Sequence, residues 1–97
     1  MARVVVTETA IRELDALIAT RNLPASTRDR IRGQLSPLGT FPLLGRELLG
    51  RWAGFRVVLG PWSWMLLVYR YDESRDEVAI VTIQDSRTAT AATSRGR

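Results

Sequence analysis

Cysteine, histidine and lysine are all absent from this chain of 97 residues. Without cysteine there are no disulfide bonds and no thiolate ligands, which suits a cytoplasmic protein. Without histidine the chain lacks the commonest general base at neutral pH and the commonest metal ligand. No apolar run approaches the ~20 residues that a membrane-spanning helix needs. The sequence therefore predicts no metal site, no cofactor and no membrane partner.

The positive charge of the chain is carried by arginine alone. The 14 basic residues outnumber the 10 acidic ones, and the net charge is +4. A GC-rich genome would also enrich arginine, so composition and function both remain possible causes. The planar guanidinium fork suits phosphate and carboxylate groups. A small basic protein of this kind indicates an acidic partner, which could be nucleic acid, the ribosome or an acidic protein.

The first 36 residues predict one strand and two helices. Residues 3–6 are β-branched after Arg3 and predict a strand, and Thr7 is a typical helix N-cap. The helix that follows has one apolar face with three-and-four spacing. A second, mostly polar helix begins at Pro24 or Ser26 and ends at residues 36–37. The short connection between them predicts an antiparallel helical hairpin. The apolar positions of the first helix are Ala10, Ile11, Leu14, Leu17 and Ile18.

Residues 50–87 predict three antiparallel strands, after a loop over residues 37–49. Gly60-Pro61 marks the first turn, and the charged residues 72–76 mark the second. Residues 64–68 are apolar without interruption, so we expect this strand at the centre of the sheet, covered on both faces. Period two places Arg56 on the opposite face from Phe55 and Val57.

The order of elements predicts an α+β fold with the topology β-α-α-β-β-β. An N-terminal strand and an antiparallel helical hairpin precede the three-stranded meander. The length suits one domain over residues 1–97. Residues 88–97 are rich in Thr, Ala, Ser, Gly and Arg, and predict either a frayed tail or a short helix over residues 88–93 that covers the sheet.

In this order of elements, the chain resembles the RelE/ParE superfamily of toxins. The family pattern is a strand with a basic residue, a glycine turn, an aromatic residue before a Val-Tyr run, an acidic hairpin and a final strand that ends in arginine. The matching positions are Arg56, Gly60, Trp64, Val68-Tyr69, residues 72–76 and Arg87. The resemblance covers nearly the whole chain and implies a single toxin domain of a type II toxin–antitoxin system.

Members of that superfamily either cleave messenger RNA on the ribosome or poison DNA gyrase. The resemblance therefore implies a toxin that arrests growth by binding a cellular target, with gyrase as the expected one. One alternative is a metal-independent, ribosome-dependent endoribonuclease of the RelE kind. Another is a binding protein with a toxin fold and no toxicity. In each case we expect a cognate antitoxin, which is a small, acidic and partly disordered partner.

Cleavage would require Arg56 and Arg87 as the catalytic cations. The chain departs from the cleaving members at Met65 and Val58, where the family often has basic residues, and no C-terminal acid or base is evident. Arginine itself has too high a pKa to act as an ordinary general base. These departures favour a toxin that acts by binding its target over an endoribonuclease.

The candidate binding residues are arginines and one turn tryptophan. Trp62 lies beside the Gly60-Pro61 turn and is the tryptophan most expected to be exposed. Trp52 and Trp64 are expected in the core, with their indole nitrogens hydrogen-bonded at the sheet edge. Asp85 is expected to pair with Arg87. We further expect Arg56 and Arg87 to share the sheet face that points away from the helices. The complete set of candidate binding residues is Arg51, Trp62, Arg70, Arg28 and Arg32.

Overall fold

A five-stranded sheet organises the computed structural model, which describes residues 1–88 and 90–93. The strands lie in the order β1-β5-β4-β3-β2. A single 3-10 turn, Gly50–Trp52, precedes β3. In chain order the elements are β1 (Arg3–Val6), α1 (Glu8–Thr20), α2 (Thr27–Leu35), α3 (Pro37–Thr40), β2 (Arg46–Glu47), β3 (Arg56–Leu59), β4 (Met65–Asp72) and β5 (Glu77–Asp85).

The predicted meander is confirmed as strands β3, β4 and β5. Both of its strand pairs are antiparallel, and β4 is the central strand of the whole sheet. Met65 through Tyr69 are all buried, as expected for a strand covered on both faces. The parallel pairing of β1 with β5 was not predicted, because it joins segments more than 70 residues apart along the chain.

The two predicted helices are confirmed, and α1 begins as expected. The hydroxyl oxygen of Thr7 accepts a hydrogen bond from the Ala10 amide at 3.3 Å, which satisfies one free N–H of the first turn. The start of α2 differs from this pattern, since Ser26 makes no side-chain cap there. Instead the Thr27 hydroxyl donates to the Pro24 carbonyl at 2.6 Å.

Residues 37–49 are more regular than the predicted loop. Pro37 occupies the first turn of α3, where its fixed φ favours a helix and its missing N–H costs nothing. Leu38 is fully buried, and the Gly39 carbonyl accepts a hydrogen bond from the Ala2 amide at 2.7 Å. Arg46 and Glu47 then pair with β3 as the edge strand β2. Tertiary contacts that sequence patterns do not display therefore order this segment.

The sheet is covered on both faces, but unequally. On one face the helices pack on a large apolar cluster that includes Leu67, Tyr69 and Ile80. On the other face a smaller cluster includes Leu66 and Val68, and is covered by the segment around Leu48 and by the C-terminal residues. We call these the helix side and the far side of the sheet.

The start of the C-terminal tail lies on the far side. Ala91 and Ala92 are buried, and the Ala92 amide donates to the Gln84 side chain at 2.7 Å. Residues 88 and 90–93 are not helical, while residues 89 and 94–97 of the predicted tail lie outside the described residues. None of the helices in the described ranges is long and apolar enough to span a membrane.

Candidate functional site

Four side chains form a continuous stack at one end of the sheet, on the helix side. The Arg30 guanidinium lies 5.0 Å from the centre of the Trp62 ring. Trp62 and Trp64 stack with centroids 6.2 Å apart and planes 24° apart. The Arg87 guanidinium lies 4.9 Å from the Trp64 ring. We call these four residues the arginine–tryptophan stack. Each of the two indole rings has one guanidinium over it, at a distance typical of cation–π attraction.

The β3–β4 turn holds the two indoles in place. The Gly60 amide donates to the Met65 carbonyl at 2.9 Å, and the Met65 amide donates to the Trp62 carbonyl at 3.0 Å. Gln34 of α2 also donates to the Gly60 carbonyl at 3.0 Å. Since Arg30 and Gln34 are four residues apart on one helix face, this bond fixes Arg30 above the turn.

A buried carboxylate fixes the other end of the stack. Arg87 donates from Nε and Nη2 to the two oxygens of Asp85 at 2.9 and 2.7 Å, which is a bidentate pair. Arg21, at the end of α1, donates to the same carboxylate at 2.7 Å. The side chain of Asp85 is 2% exposed, whereas that of Arg87 is 60% exposed. These bonds, that from Arg87 first, hold the pKa of Asp85 well below its usual range. The expected Asp85–Arg87 pair is confirmed.

Arg56 does not lie where the sequence led us to expect it. It is paired directly with Tyr69, whose side chain belongs to the helix-side cluster, and directly opposed residues share a face. Its Nη1 donates to the Gly45 carbonyl at 2.9 Å, and its Nη2 forms an ion pair with Glu47 at 3.2 Å. The expectation that Arg56 faces away from the helices was wrong, because a cross-strand register cannot be read from one strand alone.

Arg87 also departs from that expectation, and it is remote from Arg56. Its ring partner Trp64 packs against the helix-side cluster. Arg56 is level with Tyr69 on β4, whereas Asp85 is level with Met65, four residues along that strand. At ~3.3 Å per residue this is a separation of ~13 Å along the strand alone. The two arginines thus do not form one phosphate-binding centre.

The other candidate binding residues are spread over the molecule. On α2, Arg28 forms an ion pair with Asp15, and Arg32 with Asp29. Arg70 is exposed on β4 opposite Ala79, on the far side. The last candidate, Arg51, is exposed in the 3-10 turn that leads into β3. Of the sequence candidates, the structure brings only Trp62 and Arg87 together.

Trp62 and Trp64 differ less in burial than the sequence predicted. Both indoles are half-buried, and both belong to the stack. Trp52 packs in the far-side cluster, with its ring edge-on to Phe55 at 5.6 Å. Its buried Nε1 has no hydrogen-bond partner within residues 1–88 and 90–93, contrary to the expected bond.

The groups that could transfer a proton are engaged elsewhere. Tyr69 is fully buried, its hydroxyl accepts from the Gly45 amide at 2.8 Å, and burial raises its pKa. The Tyr71 hydroxyl donates to Asp76 at 2.7 Å, and this bond raises the pKa of Tyr71. Glu13 accepts from the Thr82 hydroxyl and from the Ile83 amide, where β5 extends beyond β1. Among the described residues, no three acidic side chains converge as metal ligands would.

Sequence reasoning gave Arg21 no role in a site, placed Arg30 only in a basic cluster with Arg28 and Arg32 on the second helix, and placed Trp64 in the core. Arg21 meets Asp85 across 64 positions of the chain, so no local spacing could have indicated the contact. For Arg30 a weak signal exists, since Gln34 follows it by one helical turn and faces the same way. The stack itself becomes visible only when α2 and the β3–β4 turn are docked.

Several solved structures that are similar to this chain are toxin–antitoxin complexes or systems. The chain is similar to the E. coli RelBE complex, with 16% identity over 91% of this chain and 100% of that one, and a TM-score of 0.67. It is also similar to the chromosomal ParDE system of P. aeruginosa, with 19% identity, coverage of 88% and 96%, and a TM-score of 0.66. The corresponding values for the RelBE2 complex of Mycobacterium tuberculosis are 26%, 87% and 96%, and 0.58.

None of the curated proteins is significantly similar to this chain in sequence. The family described as "ParE toxin of type II toxin-antitoxin system, parDE" matches residues 4–89, which is most of the chain. Together with the RelE/ParE-like α+β fold, this match shows that the chain belongs to the ParE toxin family of type II toxin–antitoxin systems.

Proposed function

We propose that this toxin arrests growth by binding a cellular target, with DNA gyrase as the first candidate, rather than by cutting RNA. One observation carries the proposal: the arginine–tryptophan stack offers cations and aromatic rings but no group suited to proton transfer. Trp and Arg are the residues most enriched at the energetic centres of protein interfaces. The match to the ParE family supports the same mode of action.

Cleavage of RNA without a metal requires a base for the 2′-hydroxyl proton and an acid for the leaving oxygen. The carboxylate nearest the stack is Asp85, whose low pKa and two arginine partners keep it ionised and buried. Tyr69 is fully buried beside Gly45. Arg56 would have to act ~13 Å along the sheet from the Arg87 end. This geometry favours a toxin that binds its target over one that cleaves RNA.

A ribosome-dependent endoribonuclease is the second candidate function. One observation favours it: the Arg87 guanidinium is 60% exposed beside a tryptophan, so a phosphate could reach it. In this case Arg87 would stabilise the transition-state charge, and the acid and base would come from the ribosome or the RNA.

A third candidate is a binding protein with this fold and no toxicity, for which Arg28, Arg32, Arg51 and Arg70 remain candidate contacts.

We infer that a cognate antitoxin neutralises the toxin in the cytoplasm. The similar structures from E. coli and M. tuberculosis are toxin–antitoxin complexes, and the one from P. aeruginosa is a toxin–antitoxin system. The net charge of +4 favours an acidic partner. Induced expression with and without the neighbouring gene tests this inference. Growth arrest that the neighbour relieves is expected, and an absence of arrest would favour the non-toxic protein.

Two assays separate the binding toxin from the endoribonuclease. The purified chain is added to gyrase in a supercoiling assay, where inhibition is expected. Messenger RNA ends are mapped after induction in parallel, and no new ends at ribosomal A-site codons are expected. New ends that disappear in Arg87→Ala, with gyrase unaffected, would replace this proposal by the endoribonuclease.

A further inference from the structure

We propose that the arginine–tryptophan stack binds an acidic peptide segment, and that the antitoxin supplies this segment. The assignment of the occupant rests on the toxin function proposed above. It would make neutralisation a direct covering of Arg30, Trp62, Trp64 and Arg87. The chemistry of the surface, taken on its own, points to carboxylates as its ligands.

The two arginines keep N–H donors that are not used within the stack. Each guanidinium lies over an indole ring, and this contact needs no N–H donor, so the donors that are not bound to Asp85 remain available for oxygen acceptors. Arg87 has Nε and Nη2 bound to Asp85, whereas Nη1 meets no acceptor in the described part of the chain. Across residues 1–88 and 90–93, no carboxylate lies within 4.0 Å of Arg30. Among the described residues, Arg30 therefore has no carboxylate partner, whereas Arg87 is paired with Asp85 and keeps Nη1 for a further acceptor.

The arrangement fits a peptide better than a nucleic acid strand. Single-stranded nucleic acids bind by stacking bases on open aromatic faces, but Trp62 and Trp64 already stack on each other and each has an arginine over its ring. Three arginines against Asp85 leave a net charge of +2 at this end of the sheet. Two phosphate contacts with a single strand would give a slope of log affinity against log salt of about −1.4, whereas 6–10 contacts would give a slope of about −4 to −7.

The spacing of the stack suits an extended acidic segment. The successive spacings of 5.0, 6.2 and 4.9 Å separate the two guanidinium groups by no more than about the length of five extended residues, ~16 Å. Two carboxylates four residues apart in a strand could reach both arginines. Apolar side chains between them would lie over the edges of the half-buried indoles.

The test is a titration that follows intrinsic tryptophan fluorescence, since two of the three tryptophans lie in the stack. The probes are oligoglutamate and oligothymidylate of equal length. We expect oligoglutamate to bind more tightly than oligothymidylate. Arg30→Gln and Arg87→Gln should each weaken oligoglutamate binding by about tenfold, as the loss of one charge-assisted contact does.

Arg12→Gln is the matched control. It removes one positive charge from α1, about nine residues or ~13 Å along the helix from Arg21, and should change binding by less than about twofold. Arg30→Gln leaves the Asp85 contacts intact, so the test survives even if Arg87→Gln folds poorly. Tighter binding of oligothymidylate, no binding of oligoglutamate, or an equal loss in Arg12→Gln would overturn the proposal.

Two further measurements on the same preparations separate this inference from the proposed function. The proposed antitoxin, identified by co-purification with the toxin, should abolish the fluorescence response to oligoglutamate; an undiminished response in the complex would reject the antitoxin as the occupant. The supercoiling assay reports separately on the toxin function. If the chain binds oligoglutamate through Arg30 and Arg87 but does not inhibit gyrase, the gyrase proposal is rejected and the proposal that the stack binds an acidic peptide is retained.

Discussion

Arg56 and Arg87, at two ends of the sheet, look equivalent in the sequence but have different surroundings in the structure. Arg56, near the β2 edge, is 25% exposed and bound to the Gly45 carbonyl and to Glu47. Arg87, beyond β5, is 60% exposed and held by Asp85 against Trp64. The Arg56 guanidinium binds the loop that precedes it, whereas the Arg87 guanidinium lies at the surface. Their surroundings, rather than their type, decide which of them can meet a partner.

The difference lies in what neutralises each charge. Around Arg56 the partners are carbonyls and an exposed carboxylate of the adjoining strand, so the arginine belongs to the packing of residues 43–47. At Arg87 a buried carboxylate binds Nε and Nη2 along one edge of the guanidinium, and Nη1 has no acceptor within the described residues. We expect substitutions near Arg56 to change stability, and substitutions in the stack to change binding.

The largest effect on stability is expected from Gly45→Ala, at the Arg56 end. An added Cβ would lie 2.7 Å from the Tyr69 ring and 2.8 Å from the Val57 carbonyl, and the carbonyl belongs to a strand that cannot move freely. We expect a loss of about 3 kcal/mol, measured by urea unfolding. Gly33→Ala is the control, because its Cβ meets nothing within 4 Å and a helical alanine should stabilise α2. Equal effects of the two would refute the tight packing at Gly45.

Asp85→Asn should have the next largest effect. The carboxylate is buried, but both of its arginines reach solvent, so we expect a loss of about 2 kcal/mol at pH 7. Because the pKa of Asp85 is lowered in the folded state, this stability is complete above the unfolded pKa of ~3.9. It declines as the pH falls further, toward the folded pKa.

Urea midpoints of the wild type and Asp85→Asn, measured from pH 7 down to pH 3, test this dependence. The gap between the two proteins should be widest near neutral pH and should narrow below pH ~4. A gap that stays constant over the whole range would mean that the charge of Asp85 does not stabilise the fold.

Tyr69→Phe tests the Arg56 end with a smaller change. The substitution keeps the buried ring but leaves the Gly45 amide without its acceptor. An unpaired buried amide costs roughly 1–3 kcal/mol, and we expect about 1.5 kcal/mol by thermal or urea unfolding. Val68→Ile, in the adjacent buried position, controls for general sensitivity of β4. An unchanged midpoint in Tyr69→Phe would show that water or another group replaces the hydroxyl.

The smallest effect is expected for Arg32→Gln. Arg32 and its partner Asp29 are 78% and 80% exposed, and such pairs on a helix contribute little. We expect a change in unfolding free energy below about 0.5 kcal/mol. A larger loss would mean that exposed charges on α2 stabilise the fold, which would weaken the contrast between the two ends of the sheet.

The elements with strong local patterns were predictable from the sequence. Uninterrupted apolar residues placed β4 at the centre of the sheet, and Thr7 marked the start of α1. The pairing of β1 with β5 was not predictable, because neither segment carries a signal for the other. Pro37 suggested a break, yet it begins the short helix α3, since Leu38 finds a buried site.

The candidate site was harder to predict than the fold. The sequence predicted Trp62 as an exposed aromatic contact and Asp85 as the partner of Arg87, but it placed Trp64 in the core. The face of Arg56 could not be derived, because it depends on the register between β3 and β4. Arg30 joins the stack only through the docking of α2, which is set by the whole helix-side cluster.

We propose that the toxin contacts its cellular target through the Arg87 end of the sheet and not through the Arg56 edge. The most direct test compares growth after induction of Arg87→Gln and Arg56→Gln without the neighbouring gene, at equal soluble abundance and with matching circular dichroism spectra. We predict that Arg87→Gln relieves growth arrest while Arg56→Gln retains it. Persistent arrest in Arg87→Gln, together with its loss in Arg56→Gln, would contradict the claim.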